Sequence, residues 1–81
     1  LNPAKLPLLV ELSKIIPKDT WVKKIRFKKK NIKLNGISKN ASQLVPIVEK
    51  SAKFRDTHFV GTILAESIGE KFTINTAVGT Q

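Results

Sequence analysis

The sequence predicts an α+β domain with the element order αββαββ. Three observations carry that reading. Apolar residues recur at helical spacing near the start, the pattern changes to two-residue alternation from Trp21, and a helix followed by a hairpin begins again after Asn40. A chain of 81 residues has room for one domain and one modest core, and 41% hydrophobic residues suit a globular fold rather than a disordered tail. A single domain over residues 1–81 is therefore expected.

The first helix is expected at about 5–16. Leu6, Leu9, Leu12 and Ile16 share a face, and Val10 and Ile15 widen it. Pro7 fits the first turn, where its missing N–H would have no intrahelical partner, and Pro17 stops the helix. Glu11 and Lys14 then face water. After a turn at Lys18-Asp19, a strand over 20–28 puts Trp21, Ile25 and Phe27 on one side and Lys24, Arg26 and Lys28 on the other. Val22 and Lys23 break this alternation. The polar link Lys29-Lys30-Asn31 leads into a second strand, 31–37, carrying Ile32, Leu34 and Gly36. Together the runs read as a β-hairpin, although its turn lacks the Asn-Gly or Asp-Gly signature.

The second unit opens with Asn40-Ala41-Ser42-Gln43, which has the form of a capping box, Asn40 being the N-cap and Gln43 reaching back. Leu44, Ile47, Val48 and Ser51 share the inner face of a helix expected at about 41–52. Pro46 in its second turn implies either a kink or a later start. A third strand is expected over 57–64, where Phe59, Gly61 and Ile63 alternate with His58, Val60 and Thr62. Ser67-Ile68-Gly69-Glu70 forms a turn, and Phe72, Ile74, Thr76 and Val78 line a fourth strand over 71–78.

Two helix–hairpin units of this kind can close into one four-stranded antiparallel sheet with both helices on one face, a circularly permuted ferredoxin-like arrangement with strand order three, four, two, one. Segments 20–28 and 57–64 would be the edges. Lysines at 23, 24 and 28 would protect one of them against unwanted strand pairing.

The inventory for catalysis is poor. There is no cysteine, so no disulfide framework or thiolate metal site is available. The single histidine, His58, has Asp56 as its nearest acid in sequence, and no spacing offers three or four convergent metal ligands. His58 reads as a solvent-facing strand residue and Asp56 as a turn residue. The serines lack a nucleophile elbow, and the four glycines are too dispersed to cradle a phosphate. No enzyme activity, cofactor, metal or small-molecule substrate is expected. No apolar run approaches the roughly 20 residues of a membrane span. The first residue is Leu1 rather than Met, which suggests a piece excised from a longer protein.

Charge is the strongest local anomaly. Fifteen Lys and Arg against six Asp and Glu give a formal net charge of +9. Lys23, Lys24, Arg26, Lys28, Lys29, Lys30 and Lys33 fall within one hairpin. Such a cluster favours an anionic partner, whether nucleic acid, lipid headgroups or an acidic protein face, unless it is only a lysine-rich solvated surface. One functional alternative is thus a ferredoxin-like RNA-binding domain that uses the basic hairpin 23–33. Against it, the central strands offer only Phe72, which its alternation with Ile74 and Val78 assigns to the core. Trp21, Phe27, Phe54 and Phe59 likewise read as apolar-face residues.

A family resemblance runs through these segments. Pro7-Leu8-Leu9-Val10-Glu11-Leu12, followed by Ile16-Pro17-Lys18-Asp19-Thr20-Trp21-Val22, resembles the "P-L-L-x-E-L … P-x-x-x-W-L" opening of the PilN/GspL-type fimbrial assembly proteins of type IV pilus and type II secretion machines. The likeness continues through Ile32-Lys33-Leu34-Asn35-Gly36, Leu44-Val45-Pro46-Ile47-Val48-Glu49 and Phe54-Arg55-Asp56. It closes with Phe59, Gly61 and Gly69-Glu70-Lys71-Phe72-Thr73-Ile74, similar to "F-x-G … G-x-x-F-x-I". It covers about residues 6–78. The link at Lys28-Lys29-Lys30-Asn31 is more basic than the usual Asp/Gly-containing turn, and the loop before Gly69 is short.

The resemblance implies a bitopic inner-membrane parent with this domain in the periplasm. It also implies a permuted ferredoxin-like fold, a homodimer, and pairing with a similarly folded partner of the PilO or GspM type. The opening motif and the "F-R-D-x-x-F" link lean towards the GspL-like branch. Contact residues are then expected on the edge strands: Lys24, Arg26 and Lys28 on one, and His58, Val60 and Thr62 on the other.

Overall fold

A computed structural model of the chain describes residues 6–79. Two helices, α1 (Leu6–Ile15) and α2 (Leu44–Glu49), accompany five strands: β1 (Thr20–Lys28), β2 (Asn31–Ser38), β3 (Phe54–Phe59), β4 (Leu64–Glu66) and β5 (Gly69–Val78). The antiparallel sheet has the order β1-β2-β5-β3, and β4 also pairs with β5. The order of the four long strands is the expected one. The expected four-stranded sheet is nevertheless five-stranded.

Alternation decides which side of the sheet is dry. Ile32, Leu34 and Gly36 of β2 lie opposite Thr76, Ile74 and Phe72 of β5, and this face meets Leu12 of α1 and Leu44 and Val48 of α2. Both helices therefore cover one face. Fully burying an aliphatic side chain of this size contributes roughly 1.5–3 kcal/mol, which makes this layer the main source of stability. Helix α1 contributes Leu12, with Leu8, Ile15 and Ile16 packed around it, whereas Val10 points outward and does not join the stripe. Residue 5 and the Leu6 side chain lie outside the described positions. Glu11 does not simply face water: its carboxylate accepts a 2.7 Å bond from the Ser51 hydroxyl and ties α1 to the end of α2.

The second helix is shorter than expected. A 3₁₀ turn over Ala41–Gln43 leads into α2, so Pro46 lies in the first α-helical turn, where it interrupts no intrahelical bond. The capping box does not form. Asn40 makes no side-chain cap bond; instead Glu70, at the start of β5, accepts the Ala41 N–H at 2.7 Å. The two donors of the expected box go elsewhere: the Gln43 N–H to the Asn40 carbonyl at 3.3 Å and the Asn40 N–H to the Ser38 hydroxyl at 3.1 Å.

Two irregularities reshape the edges. The register of β1 shifts between Val22 and Lys24, a bulge at Lys23 that reverses the facing of everything before it. Trp21, expected beside Ile25 and Phe27 on the apolar side, consequently shares the opposite face with Lys24, Arg26 and Lys28. Gly36 makes the bulge possible. A Cβ there would sit 2.2 Å from the Trp21 carbonyl oxygen and 3.0 Å from Val22 Cα. On the other edge, β3 shifts register between Arg55 and His58, and Asp56 takes a left-handed φ of 52°. That bulge aims Thr57 inward, where its hydroxyl bonds Thr76 at 2.8 Å. The expected third strand over 57–64 starts earlier and ends at Phe59; Gly61, at φ 75°, breaks the run, and pairing resumes only at Leu64. The fourth strand begins at Gly69 rather than at 71.

Candidate interaction surface

The face of the sheet that the helices leave open is laid out by register into rows that cross the strands. Lys28, Asn31, Ala77 and Arg55 form one row, and Arg26, Lys33, Asn75 and His58 the next. Lys24, Asn35 and Thr73 form a third, and the Val60 N–H donates to the Thr73 carbonyl at 2.8 Å where that row meets the strand break. Trp21, Ile37, Lys71 and Leu64 make the fourth. The face thus grades from cationic at the β1–β2 turn to apolar at the opposite end. Trp21 is 51% exposed and Leu64 53%.

Local bonds hold the polar members in place. Asn35 Nδ2 donates to Thr73 Oγ1 at 2.7 Å, and Asn75 Nδ2 donates to Asn31 Oδ1 at 3.3 Å. The imidazole of His58 lies 3.1 Å from the Asp56 carbonyl across the bulge. At the cationic end a depression of about 720 Å3 is lined by Arg26, Phe27, Lys28, Lys29, Asn31, Lys33 and Asn75. On the helical side, a narrower groove of about 420 Å3 runs between α1 and β1, with Leu9, Ile16, Val22 and Ile25 along it.

Of the six residues expected to make contacts, Lys24, Arg26 and Lys28 are exposed on the open face of edge strand β1, and His58 is exposed on the same face of β3. Three inter-strand spacings, about 14 Å, separate the two edges. Val60 and Thr62 are exposed but sit in the connection between β3 and β4 rather than on a strand. The fold therefore does not bring the six into one cluster. Sequence reasoning missed Trp21, Leu64 and Lys71 as members of the face. The signal for Trp21 was present in the broken alternation at Val22-Lys23.

Among the described residues no group of three His, Cys, Asp or Glu side chains could hold a metal ion, and no helix is long and apolar enough to cross a membrane. Glu49 has its titration displaced. It accepts the Thr57 backbone N–H, and this bond foremost holds its pKa below the ordinary range. The bond joins α2 to the β3 bulge and has no substrate-facing geometry. The RNA alternative also lacks support. The open faces of the central strands β2 and β5 carry Asn, Lys, Thr, Ile and Ala but no aromatic ring on which a base could stack, and Phe72 is buried beneath them.

No curated protein and no solved structure matches the chain. A family model does: the one described as fimbrial assembly protein (PilN) matches residues 7–78.

Proposed function

The chain belongs to the PilN family of fimbrial assembly proteins, and on that premise we propose that it is a periplasmic scaffolding domain of an inner-membrane assembly platform in type IV pilus biogenesis or type II secretion. The match, which spans nearly all of the chain, is the observation that carries the reading. A role in pilus or secretion assembly, rather than catalysis, follows from membership itself.

The geometry supplies a means. Strand β1 ends the sheet, so one side of its backbone has no strand partner among the described residues, and the open face presents side chains from every long strand. In the proposed arrangement these surfaces serve a homodimer, a heterodimer with a similarly folded PilO- or GspM-like domain, or both. Lys24, Arg26 and Lys28 make contacts from one edge, and His58, Val60 and Thr62 from the other. The ferredoxin-like permutation inferred from the element order would give both partners the same edge geometry.

Sedimentation velocity tests the proposal on the domain alone and mixed with the periplasmic domain of its candidate partner. Concentration-dependent dimer formation or a mixed complex is expected. A chain that stays monomeric at high concentration and ignores the partner would remove the scaffolding role.

A further inference from the structure

We propose that the cationic end of the open sheet face is a docking surface for anionic lipid headgroups. The inference rests on the membrane-platform reading for its setting, but its observations are separate. Four cations, Arg26, Lys28, Lys29 and Lys33, ring one depression together with the amides of Asn31 and Asn75, and no acidic residue lines it. Strands β1 and β2 contain no Asp or Glu at all, so nothing on these two strands neutralises the patch. Lys24 and Lys30 extend it on either side.

The arrangement suits a lipid surface better than one acidic peptide. The charges are spread in two dimensions over adjacent strands rather than along a single groove. Five of the six are lysines, flexible point charges that need no bidentate partner geometry. Clusters of four to eight Lys and Arg beside a membrane helix or on an amphipathic helix attract anionic headgroups, and the six cations here reach that number on a sheet. The asparagine amides add donors for phosphate oxygens without adding charge.

Direction supports the same assignment. Only residues 16–19 separate α1 from β1, and residues of both elements line one groove, so the chain reverses at that turn and α1 runs back along β1. The start of α1 consequently points to the end of the sheet that carries the cationic turn. In a membrane-anchored platform whose anchor precedes the domain, this end is the one held nearest the bilayer.

The test is co-sedimentation of the 81-residue chain with vesicles of phosphatidylcholine alone and of equal parts phosphatidylcholine and phosphatidylglycerol. Binding is expected only to the anionic vesicles, with loss at about 1 M salt, where the Debye length is about 3 Å. Each basic residue at such a surface multiplies partition about fivefold, so the triple variant Arg26→Gln, Lys28→Gln, Lys33→Gln should bind about a hundredfold more weakly. The triple variant Lys14→Gln, Lys39→Gln, Lys50→Gln removes equal charge elsewhere and should bind within a fewfold of the parent. Equal losses in both variants, or no binding to anionic vesicles, would overturn the proposal. Competition by millimolar inorganic phosphate or soluble glycerophosphoglycerol would reassign the site to free anions. Tighter binding to a polyglutamate peptide than to the vesicles would reassign it to an acidic protein. The double variant Lys29→Gln, Lys30→Gln changes only the β1–β2 turn, outside the proposed contact residues, so its sedimentation without vesicles reads the scaffolding function independently: unchanged self- or partner association beside about 25-fold weaker vesicle binding is the expected pair of results.

Discussion

The two hairpins answer the same design with different means. In the first, β1 and β2 pair over nearly their whole length around a two-residue turn, and the one bulge is locked by a glycine on the facing strand. In the second, the strand facing β5 is broken into β3 and β4, and its bulge is held by polar bonds instead. Thr57 bonds Thr76, Thr76 in turn donates to the Arg55 carbonyl at 3.1 Å, and Glu49 takes the Thr57 N–H. The comparison teaches where each half is vulnerable: the first to added volume, the second to lost hydrogen bonds.

The largest effect should come from Gly36→Ala. Its Cβ would collide with backbone, which cannot swing away as a side chain could, so a loss of about 3 kcal/mol is expected. Thermal unfolding should show a midpoint lower by at least about 12 °C. Next in size, Thr76→Val should cost about 2 kcal/mol in urea denaturation, because it leaves the buried Thr57 hydroxyl and the Arg55 carbonyl short of a partner. Adding Thr57→Val should cost less than a second independent loss. Gly61→Ala, with nothing within 4 Å of the new methyl, bears only the penalty of a left-handed φ, about 1 kcal/mol. If Gly61→Ala proved as damaging as Gly36→Ala, the distinction between the hairpins would fail.

These same positions show how much was legible in the sequence. Periodicity was enough to find both helices and the four long strands, because each buries a face whose spacing is local information. The second helix and the third strand nevertheless lie at other bounds than expected, and the strand order came from closing two helix–hairpin units into one sheet. Trp21 was misassigned because a single inserted residue, Lys23, reverses facing, and its cause lies across the sheet in Gly36. Strand β4 escaped notice because Leu64-Ala65-Glu66 is too short to show a period. The capping of the second helix by Glu70 was invisible for a related reason: the acceptor arrives from another strand. Of the interaction surface, the β1 cations and His58 could be read from alternation, whereas Leu64 and Lys71 join it only through the register of β5.

Two smaller effects sharpen the comparison further. Lys29 occupies a left-handed φ of 55° at the turn of the first hairpin. Lys29→Gly should stabilise by about 0.5 kcal/mol, the relief of strain being partly offset by the greater freedom of glycine in the unfolded chain. Glu49 gives the second hairpin a pH signature. Its folded pKa lies below its unfolded value, so its contribution is present above the unfolded pKa, near 4.5, and is lost as pH falls through the lower folded value. Glu49→Gln should therefore narrow the gap in stability between neutral and acidic pH, measured by urea midpoints across that range.

The central claim is that the open face mediates assembly, and Trp21 reports on it directly as the chain's only tryptophan, half exposed in the row with Ile37, Lys71 and Leu64. Its emission should be recorded in lipid-free buffer while the domain is concentrated or titrated with its partner domain. A blue shift and protection from a soluble quencher, rising together with the sedimenting complex, are the expected results. Complex formation with unchanged Trp21 emission and quenching would contradict the assignment of this face.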